Sequence, residues 1–314
     1  MRSACSLTAL LLATNCVAQN ASPSVIASWG GTATIGGITI EQTVGEMMVS
    51  TVDNGNVRLT QGFHQAEPVL MRANIRAILQ GPFNEVTGLM RDDLRDLGLV
   101  PLMEPYSAIG FAQLGSGAEM TTVSALAVTG PNAVIDWVHL QLRDRNNATT
   151  VLATRNALLQ ADGDIVDVDG SSPVRFVANS DDYFISVHHR NHFGVMSLAT
   201  VPLTSTATAF DFTDGSAATY GIDARTSVAG VQLLWCGDVN ADGTIRYVGA
   251  VNDRDLILLA IGGSVPTNTT TGYAATDVNL DGTTRYVGFA NDRDPILVNI
   301  GGSVPTNVRQ DQLP

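Results

Sequence analysis

Residues 238–268 read DVNADGTIRYVGAVNDRDLILLAIGGSVPTN, and residues 277–307 read DVNLDGTTRYVGFANDRDPILVNIGGSVPTN. The copies are offset by 39 residues and agree at 24 of 31 aligned positions, so the chain carries an internal duplication. Each copy opens Asp-x-Asn-x-Asp-Gly. That spacing sets oxygen-bearing side chains at the first, third and fifth places of a turn: Asp238, Asn240 and Asp242, then Asp277, Asn279 and Asp281. A glycine in sixth place, Gly243 or Gly282, permits the sharp bend. The main-chain carbonyl of Thr244 or Thr283 stands in the seventh ligand place. Hard oxygen donors in this pattern suit Ca2+, and the repeats offer no His or Cys to a transition metal. Two Ca2+ sites are expected.

In an ordinary loop of this kind the twelfth place is a carboxylate that grips the ion bidentately. Here it is Gly249 or Gly288. The next carboxylates are Asp253 and Asp255 in the first copy, Asp292 and Asp294 in the second. Our reading is that Arg-Tyr-Val-Gly and the next few residues bulge outward, and that the Asn-Asp-Arg-Asp turn returns its first Asp to the ion. Pro295 suits a first helical turn, which makes Asp294 the expected N-cap of a short helix, PILVNI, ended by Gly301-Gly302. Asp292, and Asp253 by the repeat, then become the closing ligands, with Asp255 and Asp294 as the less favoured choices. The plainer alternative is that Asp, Asn and Gly only make turns. Against it stands the recurrence of the motif, each time followed at the same spacing by NDRD and an apolar run.

Composition sets the frame for this pair. The 314 residues suffice for two or three modules, and 45% hydrophobic content describes a folded chain. Lysine is absent, and 17 arginines face 30 Asp and Glu for a net charge of -13. Such a field repels nucleic acid and anionic lipid and suits cations. Residues 1–18, MRSACSLTALLLATNCVA, have one Arg and an apolar run ending in small residues, the pattern of a secretory signal peptide. No later stretch is long and apolar enough to span a membrane. Two of the three cysteines leave with that leader, so disulfides are not expected and the remaining Cys236 reads as a packed residue beside Trp235.

Residues 19–67 read as β-hairpins around Gly-Gly and Asp53-Asn54-Gly55. In residues 68–230, NIRAILQ, AVIDWVHLQLRD, TTVLATRNALLQ, DIVDV, PVRFVA and YFISVHH are strand-like runs separated by Gly, Pro, Asn and Asp clusters, which points to an antiparallel β-sandwich. MRDDLRDLGLVPL can make one helical turn capped by Asp92 or Asp93 and stopped by Gly98. Residues 203–230, rich in Ser, Thr, Ala and Gly, read as a loop or linker. Residues 231–314 hold the repeats.

Two other clusters carry weaker signals. His188-His189-Arg190-Asn191-His192 is dense in metal-binding types. Strand alternation would put His188, Arg190 and His192 on one side, where the guanidinium repels a cation, so a hydrogen-bonded or solvated strand face is the expectation. Asp162, Asp164, Asp167 and Asp169 could include acid–base carboxylates or form a further calcium site, but Asp162-Gly163 and Asp169-Gly170 read more simply as hairpin turns. No nucleophile elbow, zinc-protease helix or phosphate loop occurs.

The paired loops, each leading into a short helix, resemble a dockerin. That resemblance covers residues 231–307 and implies attachment of a secreted protein to a scaffold through a cohesin module. The glycine in place twelve, the longer loop and the short exit helices depart from the dockerin pattern; they weigh against a cohesin-type partner and leave calcium binding in place. The whole order of segments, with TVGEMMVSTVDNGNVRLTQGFHQ, LMRDDLRDLGLVPLMEPYSAIGF and HHRNHFGVMS, is similar to secreted multi-module surface proteins of Bacteroidetes-type bacteria. The expectation is a secreted, mainly-β, calcium-binding attachment or adhesion protein at the cell surface, with a surface protein or glycan as partner and without catalysis. The alternatives are a carbohydrate-active enzyme or glycan binder anchored by the repeats, and a purely structural spacer.

Overall fold

The structure, a computed structural model, describes residues 29–35, 38–44, 52–53, 58–59 and 70–314. It divides into two compact units, residues 1–67 and 68–314. In the first, Trp29–Ile35 pairs antiparallel with Ile38–Val44, and Val52–Asp53 with Arg58–Leu59. The leader read at residues 1–18 lies outside the described residues.

The second unit is built on one nine-stranded sheet, antiparallel except at one pairing, so the protein is mainly β with few helices. Its strands are β1 (Leu70–Arg76), β2 (Val134–Asp144), β3 (Asn147–Gln160), β4 (Asp164–Val166), β5 (Val174–Val177), β6 (Asp181–His188), β7 (Val195–Met196), β8 (Val201–Leu203) and β9 (Thr208–Asp211). The hairpin β2–β3 forms its centre, with β6 beside β2 and β4 beside β3. Along β1, β4 and β5 act as one interrupted strand: Ile165 faces Ile75, and after the excursion at residues 167–173 Val174 resumes opposite Ala73. Thr204, just past β8 at one end of the order, accepts a hydrogen bond from Arg72 N–H of β1 at 3.0 Å. That bond sets the chain after β8 beside β1, so the sheet curls back on itself.

Trp137, Phe176, Phe212, Ile135, Leu140 and Leu142 are fully buried. Strand β2 is buried along nearly its whole length, as its run of apolar residues demands of a strand covered on both sides. The helical turn expected near Asp92 is Asp93–Asp96, with Gly98 at φ 66 after it. Asp92 sits at its N-cap, but its carboxylate binds Arg95 Nε at 2.7 Å instead of a backbone amide.

Two readings change. Residues 203–230 are not a plain linker: β9 lies parallel to β1 at the sheet edge, and β10 (Arg225–Val228) pairs with β11 (Val231–Leu234). The alternation in Thr-Ala-Phe-Asp-Phe outweighs the Ser/Thr-rich composition. The strand at His188 also stops there, so face alternation does not govern the next four residues. His189 and Arg190 both turn inward to Asp136.

The duplicated segment belongs to this same compact unit. Each copy gives a short loop strand and a helix: β12 (Thr244–Arg246) and α1 (Asp253–Ala260), then β14 (Thr283–Arg285) and α2 (Arg293–Asn299). Strand β13 (Thr269–Thr271) follows α1, and β15 (Val308–Gln310) follows α2. The helices end alike. Gly263 N–H donates to Leu258 C=O and Gly302 N–H to Leu297 C=O, both at 2.8 Å. Glycines at φ 106 and 76, then 107 and 76, supply the left-handed residues this stop requires.

Candidate metal centre

In the first repeat, Asp238 lies at the loop entrance with Asp242 N–H on Oδ1 at 3.1 Å and Gly243 N–H on Oδ2 at 3.0 Å. Asn240 Oδ1 accepts Asp242 N–H at 3.1 Å, and Asp242 Oδ1 accepts Thr244 N–H at 2.8 Å. These bonds wind the backbone around the oxygens, with Gly243 at φ 76 completing the bend. Asp253, fifteen residues beyond Asp238, comes back to the same loop. Its Oδ1 accepts Val239 N–H and its Oδ2 accepts Arg246 N–H, both at 2.8 Å. The residues between swing outward, and Val251 there takes a left-handed φ of 54, a strained conformation for a β-branched residue.

The second repeat reproduces the arrangement. Asp277 accepts Asp281 and Gly282 N–H at 3.1 and 2.8 Å, Asn279 accepts Asp281 N–H at 2.9 Å, and Asp281 accepts Thr283 N–H at 2.9 Å. Asp292 Oδ1 accepts Val278 N–H and its Oδ2 Arg285 N–H, both at 2.7 Å.

Asp255 and Asp294 are placed elsewhere. Each is more than half exposed and ion-paired with the preceding arginine, Arg254 or Arg293, at 2.8 Å. Asn252 and Asn291 hold them there, donating through Nδ2 to Asp255 or Asp294 Oδ2 at 2.8 Å. The same asparagines accept the Asp255 and Asp294 N–H groups at 2.9 Å, so capping of the helices falls to Asn252 and Asn291 and not to Asp294. An amide can accept from the helix and donate to its neighbour at once, which a carboxylate cannot. The signal was in the sequence: Asn stands three places before the second Asp of NDRD in both copies.

Electrostatics separate the two kinds of carboxylate. Burial pushes Asp238 up to about 7, with the charge of Asp253 adding to it, and burial pushes Asp253 up to about 6, with Asp242 adding. Burial raises Asp292 to about 7, with Asp277 adding, and Asp277 to about 6, with Arg190 partly opposing. Asp255 and Asp294 are held below the usual carboxylate range by their Asn and Arg partners. Among the described residues none of Asp238, Asp253, Asp277 and Asp292 has an ion-pair partner, although every one is at most 5% exposed. Buried anions left without a countercharge are costly, and a bound cation relieves that cost.

The described residues contain no group of three or more His, Cys, Asp and Glu side chains drawn together tightly enough to hold a metal. The oxygens of Asp238, Asp253, Asp277 and Asp292 are each turned toward a backbone amide, and Asp292 Oδ1 takes two, from Val278 and Asn279. The donor set that fits an ion is thus mixed: two buried carboxylates per repeat, an asparagine amide oxygen, and Asp242 or Asp281 at the rim beside Arg246 or Arg285.

Behind the second loop lies a buried polar network. Asp136 of β2 accepts Tyr273 OH at 2.5 Å, lies 3.1 Å from His189 Nε2, and lies 2.8 Å from Arg190 Nη2, which is off the hydrogen-bond direction. Burial alone would raise Asp136, but Arg190 and the His189 and Tyr273 hydrogen bonds hold it low. The Arg190 guanidinium stacks 4.2 Å over Tyr273. Arg190 then donates to Ala274 C=O at 3.3 Å, and Asn191 donates to Ala275 and Asp277 C=O at 2.9 and 2.7 Å. His192 Nε2 accepts Gly81 N–H at 3.1 Å. The histidine-rich segment thus fastens the loop to the sheet. Cys236 is buried, and burial pushes its thiol up to about 12, consistent with packing and not reactivity.

No family model matches the chain, and no characterised protein or solved structure matches it.

Proposed function

We propose that the two repeats each bind one Ca2+ ion and that the protein works outside the cell as a calcium-stabilised attachment component. The observation that carries this reading is the pair of buried, uncompensated carboxylates in each repeat, Asp238 with Asp253 and Asp277 with Asp292. Asn240, Asn279 and the carbonyls of Thr244 and Thr283 complete the oxygen set, and Asp242 and Asp281 guard the rim. Oxygen-only donors favour Ca2+ over softer metals. Calcium on this reading folds the unit and does no chemistry. At free calcium ten times the dissociation constant, each site adds about 1.4 kcal/mol.

Attachment is the proposed role because the paired loops resemble a dockerin and residues 1–18 resemble a secretory leader. The curled sheet, read as a sandwich-type module, would present the face toward a surface protein or glycan. A net charge of -13 disfavours nucleic acid and anionic membranes as partners. Among the described residues no helix is long and apolar enough to cross a membrane. The test is thermal unfolding of the full chain in millimolar calcium and in chelator. Calcium should raise the melting temperature by several degrees, and Asp253→Asn combined with Asp292→Asn should abolish the rise. An unchanged melt for the wild type would reject the reading.

A further inference from the structure

The two loop strands find their partners crosswise. In the second repeat, β14 pairs with β13, the strand that follows the first helix: Thr269 faces Arg285, Thr270 faces Thr284 and Thr271 faces Thr283. In the first repeat, β12 pairs with β15, the strand that follows the second helix: Thr244 faces Gln310, Ile245 faces Arg309 and Arg246 faces Val308. The sixth-place glycine takes part both times. Gly272 N–H donates to Gly282 C=O at 3.1 Å, and Asp311 N–H donates to Gly243 C=O at 2.8 Å. Both bonds are related by the offset that relates the repeats. The helices reach across as well: α2 packs on β12, and α1 packs on β14 in addition to β12 of its own repeat.

We infer that the two repeats close into a ring in which each calcium loop is completed by the strand trailing the other repeat, so that residues 308–311 are a working part of the first calcium site. This inference rests on the calcium reading above. A three-residue strand bearing loop ligands has no stability of its own, and its hairpin forms only when a partner lies alongside. For the second loop that partner is near in sequence. For the first it must return across the whole second repeat, which costs more chain entropy. The extra anchors sit at that long closure. Arg309 Nε donates to Asn299 C=O at 2.6 Å, its guanidinium lies 3.6 Å over Trp235, and it pairs with Asp223. Thr270, the equivalent residue in β13, has no such anchors among the described residues.

Asp253 links the two halves of the ring. Its carboxylate holds Val239 and Arg246 of the first loop, while its helix lies on the strand of the second. Asp292 does the converse. Ordering either loop therefore supports the other, and a lesion in a trailing strand acts on the loop it pairs with, not on the loop of its own repeat.

The test uses the full chain carrying Arg309→Pro or Thr270→Pro, each made in Asp253→Asn and Asp292→Asn backgrounds that retain one site. Proline removes a ladder donor at equivalent positions. Calorimetric titration with calcium alone should show Arg309→Pro weakening the first site tenfold or more and the second site less, with Thr270→Pro showing the reverse. Amide exchange in chelator reads the same coupling without calcium: Arg309→Pro should speed exchange at Val239 and Arg246 tenfold or more. Arg309→Ala, which keeps the ladder donor and loses the anchors, should show the same direction more weakly and serves if the proline variant does not fold. Equal effects of each proline on both sites, or effects confined to its own repeat, would overturn the ring. If the wild type takes up no calcium, the reading of the site fails, and the exchange experiment still decides the ring.

Discussion

The two repeats share most of their sequence and nearly all of their internal hydrogen bonds, yet they sit in different surroundings. The second loop lies against the sheet. Leu280, in its fourth place, belongs to the sheet's own core at 1% exposure, Arg91 donates to Asn279 C=O at 2.9 Å, and Arg190 and Asn191 cover the carbonyls at 274, 275 and 277. The approach is close enough that a Cβ on Gly81 would meet Val278 O at 2.2 Å. The first loop has Ala241 in the place of Leu280, and Ala241 and Asp242 are exposed. The same candidate ligand residues are thus backed by the sheet in the second copy and not at place four in the first. Holding a site in its bound shape reduces the ordering cost of binding, so the second site should be the tighter.

The sharpest way to break that comparison is Leu280→Ala, which makes the second loop resemble the first. Loss of a buried Leu side chain costs about 3 kcal/mol, whereas Ala241→Leu should change stability by less than about 0.5 kcal/mol. Chemical denaturation measures both. Equal effects would show that the sheet does not support the second loop.

A smaller effect concerns a feature the repeats share. Asp238, Asp253, Asp277 and Asp292 all have folded-state values raised well above the unfolded carboxylate near 3.8. These four carboxylates therefore bind protons more tightly in the folded than in the unfolded chain between about pH 4 and 7, and their share of the stability in chelator falls as pH rises through that window. Buried His139, His188, His189 and His192, held below the usual histidine range by burial, act oppositely within the same window, and Asp136 and Asp167, held low, act oppositely at the acid end of the scale. Calcium requires the carboxylates ionised, so the difference in melting temperature with and without it should be small at pH 5 and full above pH 7.5. Melting curves in both conditions across that range would show it, and a difference independent of pH would remove these carboxylates from the site.

Much of this was legible in the sequence, because local chemistry decides it. The duplication, the Asp-Gly turns, the β2–β3 hairpin and the return of Asp253 and Asp292 all follow from spacing and turn geometry. The difference at place four, Ala241 against Leu280, stands in the sequence, but which loop is buried is a finding of the structure. Pairing across long stretches was not legible. Nothing in Val-Arg-Gln at 308–310 names Thr244–Arg246 as its partner, because a three-residue strand carries too little pattern to specify one. The role of His189, Arg190 and Asn191 was hidden for a related reason: their partners Asp136, Tyr273 and Ala275 come from distant parts of the chain, and the strand whose alternation would have placed them ends at His188.

The central claim is that Asp253 and Asp292 face a divalent cation while Asp255 and Asp294 do not. Calorimetric calcium titration of the full chain beside its Asp292→Asn and Asp294→Asn variants tests it most directly. Two ions should bind the wild type with affinities on the order of 10⁻⁴–10⁻³ M. Asp292→Asn should remove one of them and Asp294→Asn should remove neither. Absence of binding to the wild type, or loss of a site only with Asp294→Asn, would contradict the account.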